Sequence, residues 1–230
     1  MEIIRSRQNK QVQRLRQLGG SAKYREECGE FLAAGRKLYD EAIAAKLEIT
    51  ALLTAENAAP EILGYIADMQ SPPDAVFSAK IPNSYLQPEL PKCVVLMENV
   101  QDPGNAGTII RTAGALGYGI AMLGDCADPW SLKVIRGAMG AAFRVPIARI
   151  TDVRELGLPV IAAVARDGVP ANKFVPPGEF AVAIGNEGNG LSESLIAASE
   201  YKVTIPMGAS SESLNAASAA AILMWQFRNH

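Results

Sequence analysis

Length, composition and charge exclude several classes of protein. The 230 residues are 49% hydrophobic and carry a formal net charge of −2, which suits one large or two small globular domains and argues against a general polyanion binder. No apolar run reaches the roughly 20 residues of a transmembrane helix, and the N-terminus has no signal-peptide core, so we expect no membrane contact. Three scattered cysteines predict a reduced, cytoplasmic protein. The only histidine is His230, so we expect neither a metal site nor a histidine-based catalytic triad.

Positive charge is concentrated at the start of the chain. The first 25 residues contain Glu2 as their only acid, and their basic residues are Arg5, Arg7, Lys10, Arg14, Arg16, Lys23 and Arg25. Clustered positive charge favours contact with a phosphate backbone. A solvated helix face gives the same pattern, so the charges alone leave both interpretations open.

Residues 1–80 predict a small α/β domain. Apolar residues at Val12, Leu15 and Leu18 share one helical face. The predicted elements are a helix over Asn9–Leu18, a helix over Phe31–Ala45, a strand over Ala51–Leu53, a helix over Glu61–Met69 and a strand over Val76–Ser78. Residues 81–91 contain three prolines and no clear period, so we interpret them as a linker between domains.

From residue 92 to residue 230, short apolar strands alternate with helices. The predicted strands are Cys93–Met97, Tyr118–Leu123, Val160–Val164, Phe180–Ile184 and Val203–Ile205, and the predicted helices are Ala106–Leu116, Ser131–Met139 and Leu214–Phe227. This alternation predicts a mostly parallel sheet with helices on both faces. General topology rules argue against a knot. The last helix is apolar nearly all round, which predicts burial in the core or in an interface between subunits.

Two loops near the end of the chain each follow a strand and precede a helix. The first, GNEGNG at 185–190, has three glycines in six residues, so its backbone can take positive φ and approach a ligand closely. It lacks the Lys-Ser or Lys-Thr of a Walker loop and does not fit GxGxxG. In the second loop, Ser213 and Asn215 are natural N-cap residues. Ordinary strand-to-helix connections would look similar, but loops at such strand ends are also where open α/β sheets bind ligands.

Three ordered motifs resemble those of the SpoU (TrmH-like) RNA methyltransferases. They are NVQDPGNAG at 99–107 with RTA at 111–113, GNEG at 185–188 with GL at 190–191, and IPM at 205–207 with SLN at 213–215. The resemblance implies the SPOUT architecture for residues 92–230, with a C-terminal trefoil knot and a homodimer. Residues 1–80 resemble the small ribosomal-protein-like α/β domain that binds RNA in many relatives.

The resemblance also assigns roles to individual residues. It implies S-adenosylmethionine as the cofactor, held by Gly185, Asn186, Gly190, Ile205, Met207 and Leu214. The implied catalytic residues are Asn105, Arg111, Glu187, Ser213 and Asn215, and the candidate RNA contacts are Arg5, Arg7, Arg14, Arg16, Arg25 and Arg136. Two positions depart from the family pattern: Ala34 replaces an acid, and Ala138 replaces a serine.

The implied reaction is methylation of a ribose 2′-oxygen in ribosomal or transfer RNA. Base methylation with the same cofactor site and an inactive RNA-binding relative remain alternatives. The family pattern places a proposed general base at Arg111, but a guanidinium stays protonated at neutral pH, so we expect Arg111 to hold phosphate and position the 2′-hydroxyl. Glu187 could orient the substrate, cap a helix or take part in proton transfer.

Overall fold

The computed structural model describes residues 3–82, 85, 89–208 and 213–228. Its N-terminal unit is a three-stranded antiparallel sheet covered by helices. In chain order the elements are α1 (Lys10–Gly20), α2 (Ala22–Cys28), β1 (Glu30–Ala34), α3 (Arg36–Ala44), β2 (Ile49–Thr54), α4 (Pro60–Ala67) and β3 (Ala75–Lys80), and the strand order is β1-β3-β2. The predictions of α1, β2, α4 and β3 are confirmed, whereas α2 was not predicted.

The predicted helix over Phe31–Ala45 is wrong in its first part. Residues 30–34 form a strand that pairs with β3, and the helix starts only after Gly35, whose φ is 107°. Phe31 and Ala33 enter one core cluster while Leu32 enters another. Side chains that alternate between two cores have the period of a strand, which an apolar run buried on both faces does not reveal in the sequence.

The C-terminal unit is a seven-stranded sheet with helices on both faces. Its elements are β4 (Cys93–Glu98), α5 (Pro103–Leu116), β5 (Gly119–Leu123), α6 (Leu132–Ala138), β6 (Ile147–Ile150), β7 (Val160–Ala163), β8 (Val169–Pro170), β9 (Phe180–Ile184), α7 (Glu193–Ala198), β10 (Tyr201–Thr204) and α8 (Ala216–Phe227). The strand order is β6-β5-β4-β9-β7-β10-β8, and every described pairing is parallel. The predicted α/β class and parallel sheet are confirmed.

Two strands at the edges of this sheet were not predicted. They are β6 and β8, which have four and two residues, too short for a reliable periodic signal. Successive side chains of β4 point to different layers: Val95 packs with the α5, α6 and α8 cluster, while Leu96 packs with the layer that contains α7. The trefoil knot stays a prediction, because strand order by itself does not define a threading.

The two units share one hydrophobic core. Phe31 of the N-terminal sheet lies 5.1 Å from Trp130 and 5.4 Å from Phe143, measured between ring centroids. Ile81, in the predicted linker, is 8% exposed and belongs to the same cluster. The linker residues 83, 84 and 86–88 lie outside the described residues. The described part of the linker is therefore partly built into the core that joins the two sheets.

Candidate active site

The loop after β9 is a closed ring of backbone. The amide of Asn186 donates to the carbonyl of Gly190 at 3.0 Å, and the amide of Gly190 donates back at 2.9 Å. A Cβ at Gly185 would lie 2.2 Å from the carbonyl carbon of Gly190, and Gly190 itself has a φ of 69°. Both positions therefore need glycine, which explains physically why this loop is glycine-rich.

The side chain of Asn186 fixes this ring to the rest of the sheet. Its amide nitrogen donates to the carbonyl of Asn99 at 2.9 Å, and its oxygen accepts the amides of Gly188 at 2.9 Å and Asn189 at 3.1 Å. Asn99 directly follows β4 and has a φ of 53°. The side chain of Asn186, which was predicted to contact the cofactor, thus makes its hydrogen bonds to backbone groups of the protein and holds the loop in shape.

A cavity of about 320 Å³ lies where three strand ends meet this loop. The lining residues come from the ends of β7, β9 and β10 and from the start of α8: Ala163, Val164, Ala165, Ile184, Gly185, Asn186, Glu187, Gly188, Asn189, Gly190, Val203, Ile205, Met207, Ser213, Leu214, Ala216 and Ala219. The structure brings all six predicted cofactor residues to this one cavity. Its size falls in the range of small-molecule sites, and its lining is mainly backbone and apolar side chains.

The contribution of β7 to this cavity was not predicted. Ala163, Val164 and Ala165 line it, yet none has a side chain that signals chemistry. Their position at the carboxyl end of a strand beside β9 and β10 is the available signal, because the carboxyl ends of neighbouring parallel strands meet at one edge.

Three polar side chains form a hydrogen-bonded row at the mouth of the cavity. The Asn105 amide nitrogen donates to Glu187 Oε1 at 2.9 Å, and the Asn215 amide nitrogen donates to Asn105 Oδ1 at 2.8 Å. One residue comes from each of the three motifs, although Asn105 and Asn215 are 110 positions apart. The row therefore joins residues that only the fold brings together.

Helix starts hold two members of this row in place. Asp102 caps α5 and accepts the Asn105 amide at 2.8 Å, and the Asn215 side-chain oxygen caps α8 by accepting the Ala217 amide at 2.9 Å. Asn215, and not Ser213, is therefore the N-cap of α8, while the catalytic role of both residues stays a prediction. Glu187, by contrast, accepts from Asn105 and caps no described helix.

Arg111 lies on the same helix as Asn105 but outside this row. They are six helical positions apart, or about 9 Å along the helix axis. Arg111 is exposed and lines a separate cavity of about 560 Å³ together with Tyr118, Ala138 and Arg144. No ion pair joins it to any carboxylate in the described part of the chain. Its guanidinium is consequently available to an external anion.

Helix α5 is held close to α6 by two glycines. A Cβ at Gly107 would lie 2.8 Å from the carbonyl oxygen of Val134 and 3.0 Å from the Cα of Gly137. The backbones of the two helices are therefore in direct contact there. This contact lies in the part of α5 between Asn105 and Arg111, so it holds that part of the helix against α6.

Comparison with known proteins decides the family. The family model described as "SpoU rRNA Methylase family" matches residues 92–225. The chain belongs to the SpoU rRNA methylase family. The recognition made from the three motifs is confirmed, and the matched range contains the cavity, the Asn105–Glu187–Asn215 row and Arg111.

Relatives of this SpoU protein align over nearly its whole length. The 23S rRNA (guanosine(2553)-2′-O)-methyltransferase RlmP of Bacillus subtilis is 28% identical, over 99% of this chain and 100% of its own. AdoMet-bound rRNA methyltransferase from Sinorhizobium meliloti superposes with a TM-score of 0.89 at 28% identity, over 100% and 98% of the two chains. SpoU methyltransferase AviRb from Streptomyces viridochromogenes, in complex with AdoMet, gives 0.85 at 26% identity, over 95% and 97%.

The predicted RNA contacts of this SpoU protein differ in how their charge is placed. Arg5 and Arg7 are exposed, and the Arg7 guanidinium lies 4.5 Å from the centroid of the Tyr65 ring. Arg136 is exposed on α6. Arg16 donates to Asp68 at 2.9 Å and to the Tyr65 carbonyl at 2.8 Å. These four guanidinium groups remain at or near the surface.

Arg14 and Arg25 are engaged with partners inside the protein. Arg14 pairs with Glu30, whose carboxylate also accepts from Lys80 at 2.9 Å. Burial by itself raises the pKa of Glu30, but hydrogen bonds from Lys80 and Thr50 and the charge of Arg14 outweigh it and hold that pKa below its ordinary value. The Glu30 carboxylate is thus a charged structural centre of the N-terminal sheet.

The prediction of Arg25 as an RNA contact is corrected by its burial. Arg25 is 5% exposed, and its Nε donates to Asp128 of the C-terminal unit at 2.9 Å. Its Nη1 also donates to the Leu18 carbonyl. A buried guanidinium with these partners joins the two units and presents no surface to a phosphate.

Membrane spans and metal clusters are both absent from the part of the chain that the structure describes. No helix in the described ranges is long and apolar enough to cross a membrane. Over the same ranges, no group of three or more His, Cys, Asp or Glu side chains is arranged to hold a metal ion.

Proposed function

We propose that this protein is an S-adenosylmethionine-dependent RNA methyltransferase that methylates a ribose 2′-oxygen of ribosomal RNA. The observation that carries this proposal is the Asn105–Glu187–Asn215 row at the mouth of the cavity, in a SpoU catalytic unit. Relatives with this fold are named as 23S rRNA 2′-O-methyltransferases, and two solved structures contain AdoMet. From action on ribosomal RNA we infer a cytoplasmic location.

The cavity suits a cofactor recognised mainly through backbone groups. Gly185, Ile205 and Leu214 line it, and the closed ring at 185–190 leaves no room for a side chain at its start. When bound, S-adenosylmethionine supplies an electrophilic methyl group on its sulfonium. The protein's part is to hold donor and acceptor in line, which is worth about 7–11 kcal/mol when the alignment is good.

We assign the acceptor proton to Glu187. In methyl transfer the 2′-oxygen forms a bond to the methyl carbon, the carbon–sulfur bond breaks, and the 2′-hydroxyl proton must leave. Glu187 carries the only carboxylate among the residues described as lining the cavity, and Asn105 orients it through the 2.9 Å bond. Arg111 cannot accept a proton because it is already protonated, so its part is to hold a phosphate of the substrate.

A radiolabelled methyl-transfer assay tests this function. Ribosomal RNA from cells lacking the protein is incubated with the enzyme and labelled S-adenosylmethionine, and the product is digested to nucleosides. We expect 2′-O-methylated ribose, whereas a methylated base would establish the alternative reaction. Glu187→Gln keeps an oxygen for Asn105 but is a poor base, so we expect unchanged cofactor affinity and a large loss in kcat. A wild-type protein that binds no cofactor would defeat the proposal.

The same proposal includes a homodimer. On α8, Ile222 is 42% exposed and Trp225 is 59% exposed, and α8 packs beside α5, which carries Arg111. Large apolar side chains exposed side by side favour an interface. We expect sedimentation of the wild type as a dimer and of Trp225→Glu as a monomer, and a monomeric wild type would contradict this part of the proposal.

A further inference from the structure

Glu98, at the carboxyl end of β4, is a buried carboxylate to which neither the motifs nor the proposed reaction assigns a role. It is 6% exposed. Its Oε2 accepts the amide of Ser192 at 2.7 Å, and its Oε1 accepts the Ser192 hydroxyl at 2.6 Å. Burying a charge is unfavourable unless such hydrogen bonds compensate it. Both carboxylate oxygens of Glu98 thus accept hydrogen bonds from the same residue, Ser192.

Ser192 lies where the glycine loop ends and α7 begins. Its hydroxyl accepts the Leu195 amide at 3.1 Å and caps the helix. The residue after Glu98 holds the other side of the same loop, because the carbonyl of Asn99 accepts the Asn186 side-chain amide at 2.9 Å. Glu98 and Asn99 therefore bind the glycine loop at two points, Ser192 just after the ring and Asn186 within it.

The glycine loop held in this way contributes both to the cofactor cavity and to the polar row. Its backbone, from Gly185 to Gly190, forms one wall of the cofactor cavity. Its Glu187 forms the end of the polar row. A shift of this segment relative to β4 would therefore alter cofactor contacts and the position of Glu187 together.

We propose that Glu98 is a positioning residue, which sets the glycine loop against the sheet so that the loop can bind S-adenosylmethionine and present Glu187. This inference rests on the proposed function. It predicts that loss of the Glu98 side chain weakens cofactor binding although Glu98 itself does not line the cavity.

Calorimetric titration of full-length protein with S-adenosylmethionine tests the proposal. We expect Glu98→Ala to raise the Kd at least tenfold. Glu98→Gln should stay within about threefold, since its amide oxygen can accept the Ser192 amide and its nitrogen can donate to the Ser192 hydroxyl. The matched control is Glu30→Ala, which removes a second carboxylate that is also 6% exposed but lies in the N-terminal sheet. This control should lower the melting temperature and leave the Kd unchanged.

Three results would overturn the proposal. They are a Kd for Glu98→Ala within twofold of wild type, an equal weakening by Glu30→Ala, and a Glu98→Gln variant as weak as the alanine variant. If Glu98→Ala does not fold, Ser192→Ala decides, because it deletes the hydroxyl that Glu98 binds. Its control is Ser131→Ala, which removes a comparable cap from α6, and equal Kd values for the two serine variants would overturn the proposal. Wild-type protein that fails to bind cofactor would instead refute the proposed function.

Discussion

Three arginines of the N-terminal unit, Arg14, Arg16 and Arg25, differ from Arg111 of the catalytic unit in how their charge is used. Arg14 and Arg25 are bound to carboxylates within the protein, and Arg16 pairs with Asp68. Arg111 is exposed, and no described carboxylate pairs with it. The chain thus has its densest positive charge at one end and an arginine free for an external anion in the other unit. The number of basic residues in a segment therefore overstates the positive charge available to a ligand, because some of these residues pair with carboxylates of the protein.

The largest effect is expected from Arg25→Ala. Removing one partner of a buried pair leaves the other uncompensated, so we expect about 3 kcal/mol less stability in urea unfolding. The matched control is Arg144→Ala, whose pair with Glu41 also joins the two units but leaves the Arg144 side chain 51% exposed. An exposed pair contributes about 0–1 kcal/mol. Equal effects of the two substitutions would contradict the distinction between the pairs.

The next effect concerns Arg111. We expect Arg111→Ala to reduce single-turnover methyl transfer by about 100-fold, because a misplaced acceptor loses that much of the alignment. Folding and cofactor affinity should not change. Arg111→Lys keeps the charge but loses the planar fork, so it should restore little activity. A lysine variant with nearly wild-type turnover would mean that any positive charge suffices.

Two double substitutions near the N-terminus separate free from paired charge. Replacing Arg5 and Arg7 with alanine should flatten the salt dependence of RNA binding by about 1.4 in the log–log slope, since each lost phosphate contact on a single strand accounts for about 0.7. Replacing Arg14 and Arg16 should mainly lower the melting temperature. If the second pair changes the salt slope as much as the first, the ion pairs of Arg14 with Glu30 and of Arg16 with Asp68 do not limit access of these arginines to RNA.

The smallest effect is the pH dependence contributed by Glu30. Its pKa is lower in the folded protein than the ordinary value that a glutamate has in the unfolded chain. The stabilisation is therefore present above that unfolded pKa and is lost as the pH falls through the folded pKa. We expect Glu30→Gln to reduce the loss of stability on acidification below about pH 5, measured by urea unfolding, and Glu56→Gln, at an exposed position, is the control substitution.

The sequence predicted which residues lie together at the candidate site better than it predicted the elements of the N-terminal unit. Asn105, Glu187 and Asn215 are recognisable because loops at strand ends carry short, distinctive motifs. Glycine at 185 is explicable from the sequence alone, since tight loops need backbone without side chains. The motifs do not predict which side chains bond to one another, and the Asn105–Glu187–Asn215 row becomes evident only in three dimensions.

The remaining errors have a common physical cause. Arg25 and Asp128 are 103 positions apart, and no local pattern predicts that they form a buried pair. The sequence predicts a helix at Phe31, where the structure has a strand, because the apolar run there serves two cores at once. The hydrogen bonds of the buried Glu98 likewise come from Ser192, 94 positions away. Local periodicity reports on local structure, whereas these contacts depend on tertiary folding.

The shared core around Phe31, Trp130 and Phe143 has a consequence for which nucleotide of an RNA can be methylated. With their aromatic rings packed together, the two units hold a constant distance between the exposed arginines at the N-terminus and Arg111. We therefore expect that an RNA bound by the exposed N-terminal arginines presents for methylation only a nucleotide that its own folded shape places at that distance.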